Sequence, residues 1–200
     1  MIDNYINLVV ELITKYAKTA FLDTFNFWTT YYIQACECGL VVLFCCFIYS
    51  LIMHRKFKTY NLIFTFLFGA YCYYIFAIAF MSREAGAFQK VNLVPFDTIK
   101  NIYSRKFALE NLFMMMPLGL LLPAVAKVGR KPAVGLLSGF ALAAVIEVAQ
   151  LITGRGYFEI DDIIFNGLGE VAGWLIAMLI YGIILILKHF TRPLRKRRRK

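Results

Sequence analysis

Residues 60–81 contain no Asp, Glu, Lys or Arg. As a helix, a run of that length rises about 33 Å at 1.5 Å per residue, enough to cross about 30 Å of hydrocarbon. A helix that is apolar all round has to be buried on every side, which a small soluble domain cannot arrange. Four more runs, 31–53, 107–126, 132–152 and 163–187, are long enough to do the same. Their interruptions are few: Glu37 near the start of the first, Glu110 and Pro117 in the second, Glu147 in the third and Glu170 in the fourth. Composition agrees, at 60% hydrophobic and 17% charged residues, where soluble chains average about 45–50% and about 25%. The expected fold class is an all-α membrane protein, a bundle of about five transmembrane helices.

The amino-terminal 1–30 reads differently. Residues 2–22 carry Glu11, Lys15 and Lys18 along one helical side, so an amphipathic helix lying on the membrane interface is expected there. The aromatic stretch 25–32 resembles an interfacial belt. Met1-Ile2-Asp3-Asn4 lacks the basic region of a cleavable signal, so the first span is expected to act as its own insertion signal. The five cysteines, Cys36, Cys38, Cys45, Cys46 and Cys72, lie in apolar runs without metal-ligand spacing to His54 or His189. They are expected to be small buried hydrophobes.

Charge sets an orientation. Segments 54–58, 127–131 and 188–200 alternate correctly for five crossings and hold 14 of the 22 Lys and Arg, with no Asp or Glu. By the positive-inside rule they face the cytoplasm, which puts the amino terminus outside and the basic 188–200 tail inside. Such a tail next to a span is explained by orientation and anionic lipid, so no nucleic-acid partner is expected.

Threaded this way, the polar residues of the spans gather near the outer side. Asn111 lies near the outer end of the third span. Glu147 and Gln150 share a face of the fourth. Asp162, Asn166 and Glu170 recur every four residues down the fifth, and Arg155 sits in the turn before it. A carboxylate in hydrocarbon costs roughly 2.5–3.5 kcal/mol on insertion scales, so these groups should face the bundle or a wet cavity. Two readings fit: an outward-open polar pocket, or a hydrogen-bonded cluster with Arg155 holding the helices together. Gly169 and Gly173 allow close packing, within the bundle or against a second copy of the chain.

The outer loop 82–106 is long for a connection, and long ordered loops are often functional. It carries Arg83, Lys90, Lys100, Arg105 and Lys106 against Glu84 and Asp97, interleaved with apolar residues. It suits either an interfacial segment with snorkelling lysines or a holder of an anionic head group.

In these stretches the chain resembles the VanZ-like family of bacterial membrane proteins. The matching pieces are Asn92-Leu93-Val94-Pro95-Phe96, Asn111 with Phe113 and Pro117-Leu118-Gly119, and Glu147-Val148-Ala149-Gln150. Gly154-Arg155 follows, then Glu159-Ile160-Asp161-Asp162-Ile163-Ile164-Phe165-Asn166 with Gly169. Glu159 stands where the family's acidic run has an aspartate. The resemblance implies a multi-pass protein of the bacterial plasma membrane and a role in glycopeptide resistance, teicoplanin in particular, in Gram-positive bacteria.

The expected ligand-binding residues are Asn92, Asn111, Glu147, Gln150, Arg155, Asp162 and Asn166. The ligand would be a membrane lipid, a lipid-linked cell-wall precursor or a lipoglycopeptide. In the alternative, an intramembrane enzyme acts on a lipid head group with Glu147 and Asp161 or Asp162 as acid and base. Glu147, Glu159, Asp161 and Asp162 would then be candidates to hold a divalent cation; otherwise no cofactor is expected. Transport is disfavoured by the lack of an internal repeat.

Overall fold

The computed structural model describes residues 2–53, 59–86, 90–100 and 104–190. The basic segment 54–58 and most of the tail fall outside these residues. Among the described residues, five helical stretches are long and apolar enough to cross a membrane: Thr29–Ile52, Leu62–Met81, Arg105–Val125, Pro132–Thr153 and Ile160–Phe190. Each lies within three residues of the expected span. Large apolar side chains such as Val145, Ile152 and Leu179 are exposed around the bundle, a surface suited to lipid and not to water.

The amino-terminal surface helix and the first span expected from sequence form one element. Helix α1 runs unbroken over Ile2–Ile52. No Pro or Gly precedes Gly39 to stop it, and Glu11 with Lys15 is an i,i+4 pair that supports a helix. The charges interrupt the hydropathy without interrupting the backbone.

Helix α2 (Thr59–Phe76) continues into a π-helical turn, Ala77–Met81, closed by Ser82 N–H donating to Ala77 O. The chain then passes through the short strand β1 (Val91–Asn92) and the single turn α3 (Asp97–Lys100). Helix α4 (Arg105–Val125) contains Pro117 and Pro123. A 3₁₀ turn, Lys127–Arg130, leads to α5 (Pro132–Thr153), which starts on proline and ends at left-handed Gly154, the usual chemistry of helix start and stop. Strand β2 (Phe158–Glu159) precedes α6 (Ile160–Phe190). β1 and β2 pair in parallel, Val91 opposite Phe158 and Asn92 opposite Glu159. The 82–106 loop is thereby stitched to the α5–α6 turn, at the end of α4 opposite Lys127–Arg130.

Helices α4 and α6 form the tightest seam. A side chain on Gly169 would collide with Leu112 O, one on Gly173 with Met116 O, and one on Gly119 with Glu170 O. Gly169 and Gly173 therefore face α4 of their own chain. Beside this seam, Ile75, Ala79, Met114, Met115, Leu118 and Ile146 form the core. Tyr71 OH donates to Met114 O at 2.6 Å, next to the carbonyl of Phe113 that Pro117 leaves without its helical donor. The five cysteines are free, and Cys36, Cys45 and Cys72 are exposed on the bundle's surface instead of buried in it.

Candidate functional site

At the end of the bundle carrying β1 and β2 lies a cavity of about 730 Å³, a size typical of ligand pockets. Five parts of the chain wall it. α1 contributes Asp23; the end of the second span contributes Ile78; the 82–106 loop contributes Arg83, Asn92, Asp97, Thr98 and Lys100. From α4 come Phe107, Glu110, Asn111 and Met114, and from the α5–α6 turn and the start of α6 come Tyr157, Glu159 and Asp162.

The loop wall is fixed by a carboxylate. Asp161, 2% exposed, accepts Phe96 N–H on Oδ1 and Thr98 N–H on Oδ2, the second at 2.8 Å. Phe96 is left-handed, with φ of 61°, and follows Pro95, the pattern of a turn with proline second and a positive φ third. Asn92 shapes the same turn: its Oδ1 accepts Val94 N–H at 3.1 Å and its Nδ2 donates to Asp97 Oδ2 at 3.3 Å. Hydrogen bonds from Lys100 and then Asn92 hold the Asp97 carboxyl below the usual aspartate range. The Asn-Leu-Val-Pro-Phe stretch is thus a folded loop docked on α6.

Adjacent carboxylates take different tasks. Asp161 turns to the loop backbone, whereas Asp162 turns to the cavity and accepts Asn111 Nδ2–H at 2.6 Å. Glu147, 2% exposed, accepts the backbone N–H of Glu159 on Oε2 at 2.9 Å, tying α5 to β2. Glu147, Glu159 and Asp162 are electrostatic neighbours, and Arg83 is the cation that Glu147 and Asp162 both feel. Among the described residues no three or more His, Cys, Asp or Glu are gathered to hold a metal ion. Of the four candidate metal ligands, Asp161 is engaged elsewhere by both oxygens.

Arg155 and Gln150 lie outside the cavity lining. Arg155 Nη1 donates to Phe80 O and, at 3.1 Å, to Arg83 O; Gln150 Nε2 donates to Ala79 O at 2.9 Å. Both side chains grip the π-helical end of the second span, where the wider turn presents carbonyls to neighbours. Arg155 therefore meets carbonyls where the sequence suggested carboxylates. Asn166 and Glu170 lie deeper in the bundle, 3% and 0% exposed. Glu170 Oε1 accepts from Ser138 Oγ at 3.0 Å, bonding α6 to α5.

The structure thus brings Asn92, Asn111 and Asp162 together at the cavity with Glu147 behind them. It places Gln150, Arg155 and Asn166 in the supporting framework. Sequence reasoning missed Arg83, Tyr157, Phe107 and Glu110 as lining residues. Arg83 was legible only as one loop charge among several, although its place directly after an uncharged span ties it to the bundle. Its guanidinium lies over Gly156, where a side chain would collide with it.

Five apolar helices around a charged cavity at one end define a multi-pass integral membrane protein with a built polar site. The chain belongs to the VanZ/LLP1 family, whose model matches residues 64–181. That stretch contains every cavity-lining residue except Asp23. No curated protein and no solved structure matches the chain.

Proposed function

We propose that this is a cell-envelope protein of the VanZ type whose cavity opens to the outside and holds the head of an amphiphilic or lipid-linked ligand. Family membership ties it to glycopeptide resistance in general, and teicoplanin-like compounds suit an amphiphile site best. The observation that carries the reading is the cavity itself. Its charged wall of Arg83, Glu159 and Asp162 meets apolar Ile78, Phe107 and Met114, so one ligand can place a polar head and a chain in the same site. The positive-inside rule supports the outward placement, because the cavity lies opposite the basic 127–131 segment.

The test is susceptibility to teicoplanin and vancomycin in a bacterial host lacking the gene, with Asp162→Asn, Asn111→Ala and Tyr157→Ala beside the unmodified chain and membrane abundance measured for each. The variants are expected to stay abundant and lose protection. Abundant variants that protect as well as the unmodified chain would sink the cavity reading, and an unmodified chain that gives no protection would sink the resistance role.

The second reading, an intramembrane head-group enzyme, is favoured by the electrostatic proximity of Glu147 and Asp162. In it Glu147→Gln abolishes turnover of the bound lipid while binding persists. Loss of both together points to a structural Glu147.

A further inference from the structure

We propose that the cavity selects an amphiphile whose head carries a positively charged amine, and that Glu159 and Asp162 receive it. The proposal rests on reading the cavity as a ligand site and adds the charge of the head group.

The charges around the cavity divide into two sets. Near the rim two lysines are already matched. Lys100 Nζ lies 3.2 Å from Asp97 Oδ1, and Lys106 Nζ is paired with Asp23 and lies 3.4 Å from Glu110. The inner wall is different. Glu159 and Asp162 line the cavity together with Arg83, the cation that Asp162 and, behind it, Glu147 both feel. Among the described residues none of these four takes part in an ion pair within 4 Å. One guanidinium beside two lining carboxyl groups, with a third behind them, leaves that wall with an excess of acidic groups, in surroundings drier than bulk water, where charge is felt more strongly.

The basic excess of the 82–106 loop pointed in the opposite direction, to an anionic head group. Two of its three lysines are engaged elsewhere, Lys100 by a carboxylate of its own loop and Lys106 by α1 and α4, and Lys90 lies outside the cavity lining. A phosphate entering the cavity meets one uncommitted cation and two carboxyls of its own sign. An alkylammonium meets acceptors for its three N–H donors, while Ile78, Phe107 and Met114 receive its chain.

The experiment uses the full chain in nanodiscs of phosphatidylcholine, with equilibrium binding of decylamine, decanol and decyl phosphate. Decylamine is expected to bind at least about tenfold more tightly than decanol, the scale of one charge-assisted hydrogen bond, and decyl phosphate more weakly than decanol. Glu159→Gln and Asp162→Asn are each expected to remove most of that preference and leave decanol binding in place. Arg83→Gln is expected to strengthen amine binding. Thermal unfolding of each variant reports folding; if Asp162→Asn does not fold, Glu159→Gln, whose backbone contacts are unchanged, decides.

Decyl phosphate binding as tightly as decylamine, or an amine preference that survives both carboxyl variants, overturns the proposal. Ethanolamine, an amine without a chain, is expected not to compete; if it competes as well as decylamine, the amphiphile requirement falls. If decanol binds saturably and decylamine no better, the charge assignment alone is wrong. If no chain-bearing probe binds, the cavity is not a ligand site and the reading beneath this one fails with it.

Discussion

Asp161→Ala should release the 91–100 loop and leave the bundle standing. The carboxylate accepts two backbone N–H groups, of Phe96 and Thr98, and a hydrogen bond to a charged group contributes about 1.5–3 kcal/mol. The Thr98 bond is buried and the Phe96 bond only partly so. Water can replace part of the second, which puts the expected loss near the low end of the pair, about 3 kcal/mol. At about 1.4 kcal/mol per tenfold change, the loop-opening equilibrium shifts by roughly 100-fold. Amide hydrogen exchange in nanodiscs reads this directly: protection at Thr98 falls by about that factor, while amides in the middle of α4 and α6 keep theirs. A second substitution tests the backbone side of the argument. Left-handed Phe96 carries strain on the order of 1 kcal/mol, so Phe96→Gly in the Asp161→Ala background should recover about fivefold of the lost protection. Unchanged exchange at Thr98 would refute the clamp. A fall shared by α4 and α6 would show that Asp161 holds up the whole bundle.

Two further substitutions probe the framework. Gly173→Ala puts a methyl group against Met116 O and should lower stability by about 1–3 kcal/mol, whereas Gly182→Ala, with open space around it, should be neutral or slightly stabilising in thermal unfolding; equal effects would contradict the α4–α6 seam. Arg155→Ala removes the donor to Phe80 O and Arg83 O and should destabilise by about 2–3 kcal/mol, with Arg155→Lys recovering less than half because an ammonium lacks the planar fork; full recovery by Lys would show that charge alone suffices.

The spans were legible because their signal is cumulative: some twenty apolar residues in a row outweigh an isolated Glu147 or Pro117. The continuity of α1 was not, because Glu11, Lys15 and Lys18 lower hydropathy yet leave helix geometry intact. At the site, helical spacing correctly placed Asp162, Asn166 and Glu170 along one side of α6, from the cavity into the bundle. Spacing could not divide labour between Asp161 and Asp162. Neighbours on a helix point about 100° apart, and which one meets the loop depends on how the loop docks. Arg155 illustrates a second gap. A sequence displays side chains as possible partners and hides backbone carbonyls, and the π-helical turn that exposes those of the second span has no obvious sequence mark. Lys100 and Lys106 show a third, since a count of loop charges says nothing of which are already paired.

The glycine seam has a mechanical consequence. Where backbone presses on backbone with no side chain between, two helices cannot slide without separating, so α4 and α6 behave as a single stiff plate. That plate carries Asn111 and Asp162, and through Asp161 it also carries the 91–100 loop. Helix α1 is pressed on α2 by a like contact at Gly39 and Gly69, but near the cavity it is moored to α4 through Asp23 and Lys106, a link between flexible side chains. Of these contacts, the Asp23–Lys106 link beside the cavity is the one that side-chain rotation alone can loosen.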